Sequence, residues 1–109
     1  LWYSDDSLQA TYKTRDDVAW LVDFRTWTKR KIGPAKGVDW WVFFPGGTRI
    51  IGYGNGATIY DLATRWSMVV FPVSVEAGGF SAIAGTDRRF YLGQEIGAGR
   101  QVFSFTIAE

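Results

Sequence analysis

Side chains along this chain alternate between apolar and polar with a period of two, and turn-forming residues interrupt the alternation about every 8–12 positions. A strand sends successive side chains to opposite faces, so such a pattern predicts half-buried β-structure. In residues 7–14, Leu8, Ala10 and Tyr12 alternate with Gln9, Thr11 and Lys13. Arg15-Asp16-Asp17 then turns the chain. Residues 38–44 are apolar on both faces except at Asp39, which predicts a central strand. Pro45-Gly46-Gly47 follows as a tight turn, proline presetting φ and glycine accepting positive φ. Strands are predicted over 48–53 and 57–63, joined at the hairpin tip Gly54-Asn55-Gly56. Residues 65–75 continue extended, but Pro72 leaves a gap in any ladder, so an edge or a bend is expected there. Further strands are predicted over 80–84, 90–96 and 102–107, set off by Ala77-Gly78-Gly79, Thr86-Asp87-Arg88-Arg89 and Gly97-Ala98-Gly99.

Two stretches read differently. Residues 29–37 are expected to form a loop, with Gly33-Pro34 as its breaker. Residues 18–28 fit either element. As a strand, Val18, Trp20, Val22 and Phe24 share one face, and β-branched and aromatic residues dominate. As a helix, Asp17 caps the first turn and Val18, Leu21, Val22 and Arg25 follow its spacing. The propensities favour the strand. Eight or nine short strands in 109 residues predict an all-β fold: an immunoglobulin- or fibronectin-like antiparallel β-sandwich, with a barrel as the alternative. Residues 1–109 read as one domain, with no internal repeat or linker.

The composition excludes several chemistries. Without histidine there is no Ser-His-Asp triad, and without cysteine no thiol nucleophile, zinc finger or redox pair. The carboxylates Asp39, Asp61, Glu76 and Glu95 are the remaining candidates for a hydrolase pair, which requires convergence in space. Ordinary solvated charges are the simpler account, so the chain reads as non-enzymatic. Asp5-Asp6 and Asp16-Asp17 lack the spaced oxygen ligands of a calcium loop, and no metal or cofactor is expected. Gly52-Tyr53-Gly54-Asn55-Gly56 lacks the following helix of a phosphate loop and fits a hairpin tip. Lys29, Arg30, Lys31 and Lys36 form the one basic cluster, a candidate anion-binding loop beside Trp27. A net charge of only +1 argues against nucleic acid. No apolar run is long enough to span a membrane as a helix.

Aromatic residues are the most informative feature. The chain carries 8 Phe, 6 Trp and 5 Tyr, and each large ring buries roughly 150–250 Å² when covered. So many rings exceed what one small interior takes, and the surplus marks a contact surface. Trp40 and Trp41 are adjacent on a predicted strand and must face opposite ways. Trp41 and Phe43 share a side and form the expected patch, with Trp20, Trp27, Tyr53 and Asn55 as further binding or interface residues.

The lack of Cys and His, together with Val18-Ala19-Trp20 and with Gly52-Tyr53-Gly54 followed by Ala57-Thr58-Ile59, resembles the fungal immunomodulatory proteins. That resemblance implies a sandwich, dimerisation through the segment around Val18, Ala19 and Trp20, and lectin-like engagement of immune cells. The opening at Leu1-Trp2-Tyr3 reads as the product of leader removal, whereas the absence of cysteine leans cytosolic; of the two, secretion is favoured. The expectation is therefore a secreted binding protein, a homodimer acting on a cell-surface receptor or glycan, with a carbohydrate-binding module and a small carboxylate-dependent hydrolase as alternatives.

Overall fold

A computed structural model describes residues 1–72, 80–86, 88–96 and 99–107. The described residues are all β, antiparallel throughout and without a helix. Their strands are β1 (Trp2–Tyr3), β2 (Gln9–Lys13), β3 (Val18–Asp23), β4 (Thr28–Pro34), β5 (Val38–Phe43), β6 (Arg49–Gly54), β7 (Ala57–Asp61), β8 (Ser67–Phe71), β9 (Phe80–Ala84), β10 (Arg89–Ile96) and β11 (Gly99–Thr106). They group into three sheets, each a simple up-and-down meander: β1-β2-β3-β4, then β5-β6-β7-β8, then β9-β10-β11. The all-β expectation stands at this level. The described strands form three sheets rather than the two of a sandwich, and within each sheet every strand pairs only with its neighbours in sequence.

Several local expectations change for identifiable reasons. Residues 18–28 are not one element: β3 ends at Asp23, and a turn intervenes before β4. Trp27 in that turn adopts the left-handed conformation, with φ of 54°, which a bulky side chain does not announce in sequence. The expected loop over 29–37 is mostly β4, since Gly33 and Pro34 fall at the last rungs of an edge strand, where proline's missing donor faces outward. Residues 38–43 form an edge strand rather than a central one; sheet-to-sheet packing, not flanking strands, covers its two faces. Of the extended segment expected over 65–75, residues 67–71 form an edge strand that ends before Pro72, and 73–75 lie outside the described residues. The turns over 77–79 and 97–98 lie outside the described residues.

An internal repeat is plain in the hydrogen bonds. In the first sheet the Ser4 N–H donates to the Gln9 carbonyl (2.9 Å) and the Ser7 N–H to the Ser4 carbonyl (3.0 Å). Forty residues on, Phe44 N–H donates to Arg49 (2.9 Å) and Gly47 N–H to Phe44 (3.0 Å). The next turn repeats as well. Phe24 N–H donates to Leu8 O, Leu62 N–H to Thr48 O and Ile107 N–H to Arg88 O. The left-handed residues also correspond, Ser7 with Gly47 and Trp27 with Arg65. Asp23 and Asp61 occupy one place, each accepting the N–H two residues ahead. The repeat is faint in the sequence because its main signature is backbone conformation; few side chains at matching positions are identical, Asp23 with Asp61 and Thr26 with Thr64 among them.

Each sheet packs a front face onto the back face of the next. From the front of the first sheet, Ala19 and Leu21 meet Trp41, Phe43, Ile50 and Tyr60. Ile51 and Ile59 on the front of the second meet Phe80, Ala82, Phe90 and Leu92 on the third. Burying each of the leucines, isoleucines and phenylalanines among them contributes roughly 1.5–3 kcal/mol. The sheets touch chiefly through their first two strands, β1 and β2 with β5, and β5 and β6 with β9. Arg30 crosses the first seam and donates to the Leu62 carbonyl. Met68 holds the corresponding place at the second seam, which keeps an apolar cavity of about 500 Å³ lined by Ile59, Trp66, Met68, Phe90 and Phe105.

Candidate functional site

The converging inner strands place four side chains at one end of the molecule. Trp2 on β1 meets Trp40 on β5 edge to face, their ring centroids 5.9 Å apart. Beside them Lys13, at the end of β2, reaches Asp39 at 3.8 Å and Asp17 at 3.5 Å. A β-bulge creates this arrangement: the β5–β6 register shifts between Val38 and Trp40, so Asp39 has no cross-strand partner. Bulges re-aim side chains and recur beside functional sites. Trp40 is 54% exposed as a result, while Trp41 is 3% exposed.

Glycines on β6 hold the bulge in place. A Cβ on Gly54 would lie 2.5 Å from the Gly37 carbonyl and 2.9 Å from an Asp39 carboxylate oxygen. One on Gly52 would lie 2.7 Å from Val38 and 3.0 Å from Trp41. The segment thus serves close packing. Its tip is tied down by the Asn55 N–H donating to Gly37 O at 3.0 Å.

The residues expected to form one aromatic patch are dispersed. Trp41 and Phe43 belong to the first core, the correction being that they face the neighbouring sheet and Trp40 takes the exposed side. Tyr53 packs against the second core, and burial raises its hydroxyl pKa. Trp20 lies half-buried on the back of the first sheet under the Lys29 ammonium, 5.6 Å from the ring. Trp27 is 82% exposed at the opposite end of the sheet from the bulge, against Phe24. Asn55 is exposed at its hairpin tip.

Nor do the four cations form a loop. Lys29 and Lys31 alternate with Arg30 along β4, so Arg30 turns toward the second sheet and the lysines away from it. Lys36 follows the far end of the strand, about 20 Å from Lys29 at strand rise. Lysines on an edge strand discourage pairing with another chain, which accounts for the cluster without a ligand. Of the candidate acids, Asp39 and Asp61 sit at opposite ends of the second sheet. Asp61 accepts the Thr64 N–H at 3.0 Å and the Arg49 guanidinium at 3.2 Å, contacts that hold its carboxyl below the usual range, the Thr64 backbone bond most of all. Glu76 and the Glu95 side chain lie outside the described residues. Asp6 accepts from Ser4 Oγ (2.7 Å) and Leu8 N (3.0 Å) and so organises a turn. Among the described residues no three potential metal ligands come together.

Sequence reasoning missed Trp2, Trp40, Lys13 and Asp39 as a group. The available signal was the Trp40-Trp41 pair behind Asp39, a charge interrupting an apolar strand.

Meandering sheets packed front to back around converging first strands are the arrangement of β-propeller blades. Comparison with solved structures agrees. The chain is similar to TolB from Acinetobacter baumannii, with a TM-score of 0.66, 19% identity, and coverage of 95% of this chain and 28% of that one. It is also similar to the β-propeller domain of the Trilobed protease from Pyrococcus furiosus, described as having an open velcro topology, with a TM-score of 0.65, 14% identity, and coverage of 97% and 39%. The chain has the fold of consecutive propeller blades and spans less than two-fifths of either structure's length. No family model matches it, and no curated protein matches it by sequence.

Proposed function

We propose that this chain is a recognition module that acts by binding, with Trp2, Trp40, Lys13 and Asp39 forming its ligand contact. The observation that carries this reading is Trp40, a large ring held half out of the surface by a bulge when its neighbour Trp41 is buried. A ring in that position loses little entropy on binding, because its partner Trp2 already limits its motion. The ligand class that suits it is a glycan. The flat indole stacks on the apolar face of a pyranose, and Asp39 accepts from, while Lys13 donates to, the flanking hydroxyls. Binding sites of this type combine an apolar platform with a few placed polar groups. An extracellular, lectin-like role follows if the glycan is one displayed on cell surfaces.

Tryptophan emission during titration with oligosaccharides, alongside a glycan array, tests the proposal. We expect a saturable emission change that Trp40→Ala abolishes and Trp27→Ala leaves intact. An array without hits and an unchanged spectrum would overturn it.

A further inference from the structure

The bulge in β5 does more than expose Trp40. Successive residues of a strand face opposite ways, yet Asp39 and Trp40 are both exposed between Val38 and Trp41, which are both buried. A carboxylate and an indole therefore lie side by side at one surface. The carboxylate has a made place, since a Cβ on Gly54 would stand 2.9 Å from its oxygen. It is also unused by the fold. Asp6, Asp23 and Asp61 each accept a backbone N–H and organise a turn. Asp39 accepts no hydrogen bond among the described residues, and its ion pair with Lys13 is 3.8 Å long. Lys13 is shared with Asp17, so one ammonium, its side chain 26% exposed, faces two carboxylates whose side chains are 48% and 60% exposed. Arg15 and Lys36, the neighbouring cations in sequence, are exposed and pair with neither acid among the described residues. What the fold leaves at this surface is an unbalanced negative charge beside an indole pair.

We infer that the glycan taken by this site carries a cation and is an amino sugar with its amine free, an inference that rests on the glycan reading proposed above. An ammonium over an indole face is attracted by the ring quadrupole, and a carboxylate beside the ring adds a second attraction. Asp39 and Trp40 offer both at once. A glycan bearing carboxylates or sulfates would meet Asp17 and Asp39 instead, and like charge disfavours it. Trp2 and Trp40 sit on the first strands of their sheets, among the strands through which the sheets meet. Blades stack around a central channel, so further blades add to the wall of that channel and do not lie across this site.

Titration calorimetry at about pH 5.5, where amines are protonated and aspartates ionised, reads the preference. The probes are glucosamine oligomers, their N-acetylated counterparts and cello-oligosaccharides, which share one linkage and differ in charge. The glucosamine oligomer should bind about tenfold tighter than either neutral one at low salt, and the gap should close as salt screens the exposed charges. Asp39→Asn, a change at an exposed position that keeps the size of the side chain, should remove this preference. Lys13→Gln keeps a donor and removes the competing ammonium, so it should tighten binding of the glucosamine oligomer severalfold; an ion pair with a merely structural role would give no such gain. Equal affinity for charged and neutral oligomers overturns the inference and leaves the glycan reading standing. A preference that survives Asp39→Asn, or weaker binding of the glucosamine oligomer by Lys13→Gln, overturns it as well. Binding of none of the oligomers overturns both readings.

Discussion

Trp40 and Trp41 are neighbours in the chain with the same side chain, yet truncation should affect them oppositely. Trp41 is 3% exposed, packs 5.5 Å from the Tyr60 ring and rests against Gly52. Its removal leaves a cavity that the close approach of two β-strand backbones prevents from collapsing, and such truncations cost about 3–5 kcal/mol. Trp40 loses an edge-to-face contact with Trp2 worth about 0.5–1.5 kcal/mol and leaves no sealed void. The two variants should therefore differ by about 1.5–4.5 kcal/mol. Given that small domains have only about 5–15 kcal/mol of total stability, Trp41→Ala sits near the limit of folding. Urea unfolding followed by circular dichroism is the assay, because tryptophan emission is altered by the substitutions themselves. Trp40→Ala should keep a cooperative transition with its midpoint slightly lowered, whereas Trp41→Ala should shift it far down or abolish it. Equal losses, or a larger one at Trp40, would refute the assignment of which ring the core holds.

Three other outcomes are expected. Gly52→Ala forces a Cβ to within 2.7 Å of Val38, and the resulting overpacking should cost about 1–3 kcal/mol by the same unfolding assay. Arg65, exposed and held at φ of 62°, should gain about 0.5–1 kcal/mol on Arg65→Gly, a glycine meeting that conformation without strain; an unchanged or lower midpoint would count against it. Burial pushes the Tyr60 hydroxyl up to about 12 from its usual value of 10.0. Its ionisation is thus easier in the unfolded chain, and the stability it contributes is complete below pH 10 and lost as pH rises toward 12. Two units correspond to roughly 3 kcal/mol, so Tyr60→Phe, which cannot ionise, should flatten the alkaline fall in unfolding free energy between pH 10 and 12.

The sequence by itself determined that this chain is built of short antiparallel strands, because the two-residue period and the glycine and proline turns act locally. The hairpin tip at Gly54-Asn55-Gly56, the edge strand before Pro72 and the opposed directions of Trp40 and Trp41 were all legible that way. Which of the two indoles the core would keep was not legible, since alternation fixes only that they differ. That choice fell to the bulge at Asp39 and to the space Gly52 leaves for Trp41. The basic cluster looked like one loop until the pleat of β4 sent Arg30 one way and its lysine neighbours the other. The number of sheets, too, was decided only in three dimensions. A meander and a sandwich share the same alternation, and what separates them is whether a strand's next partner is its neighbour in sequence or one brought from afar.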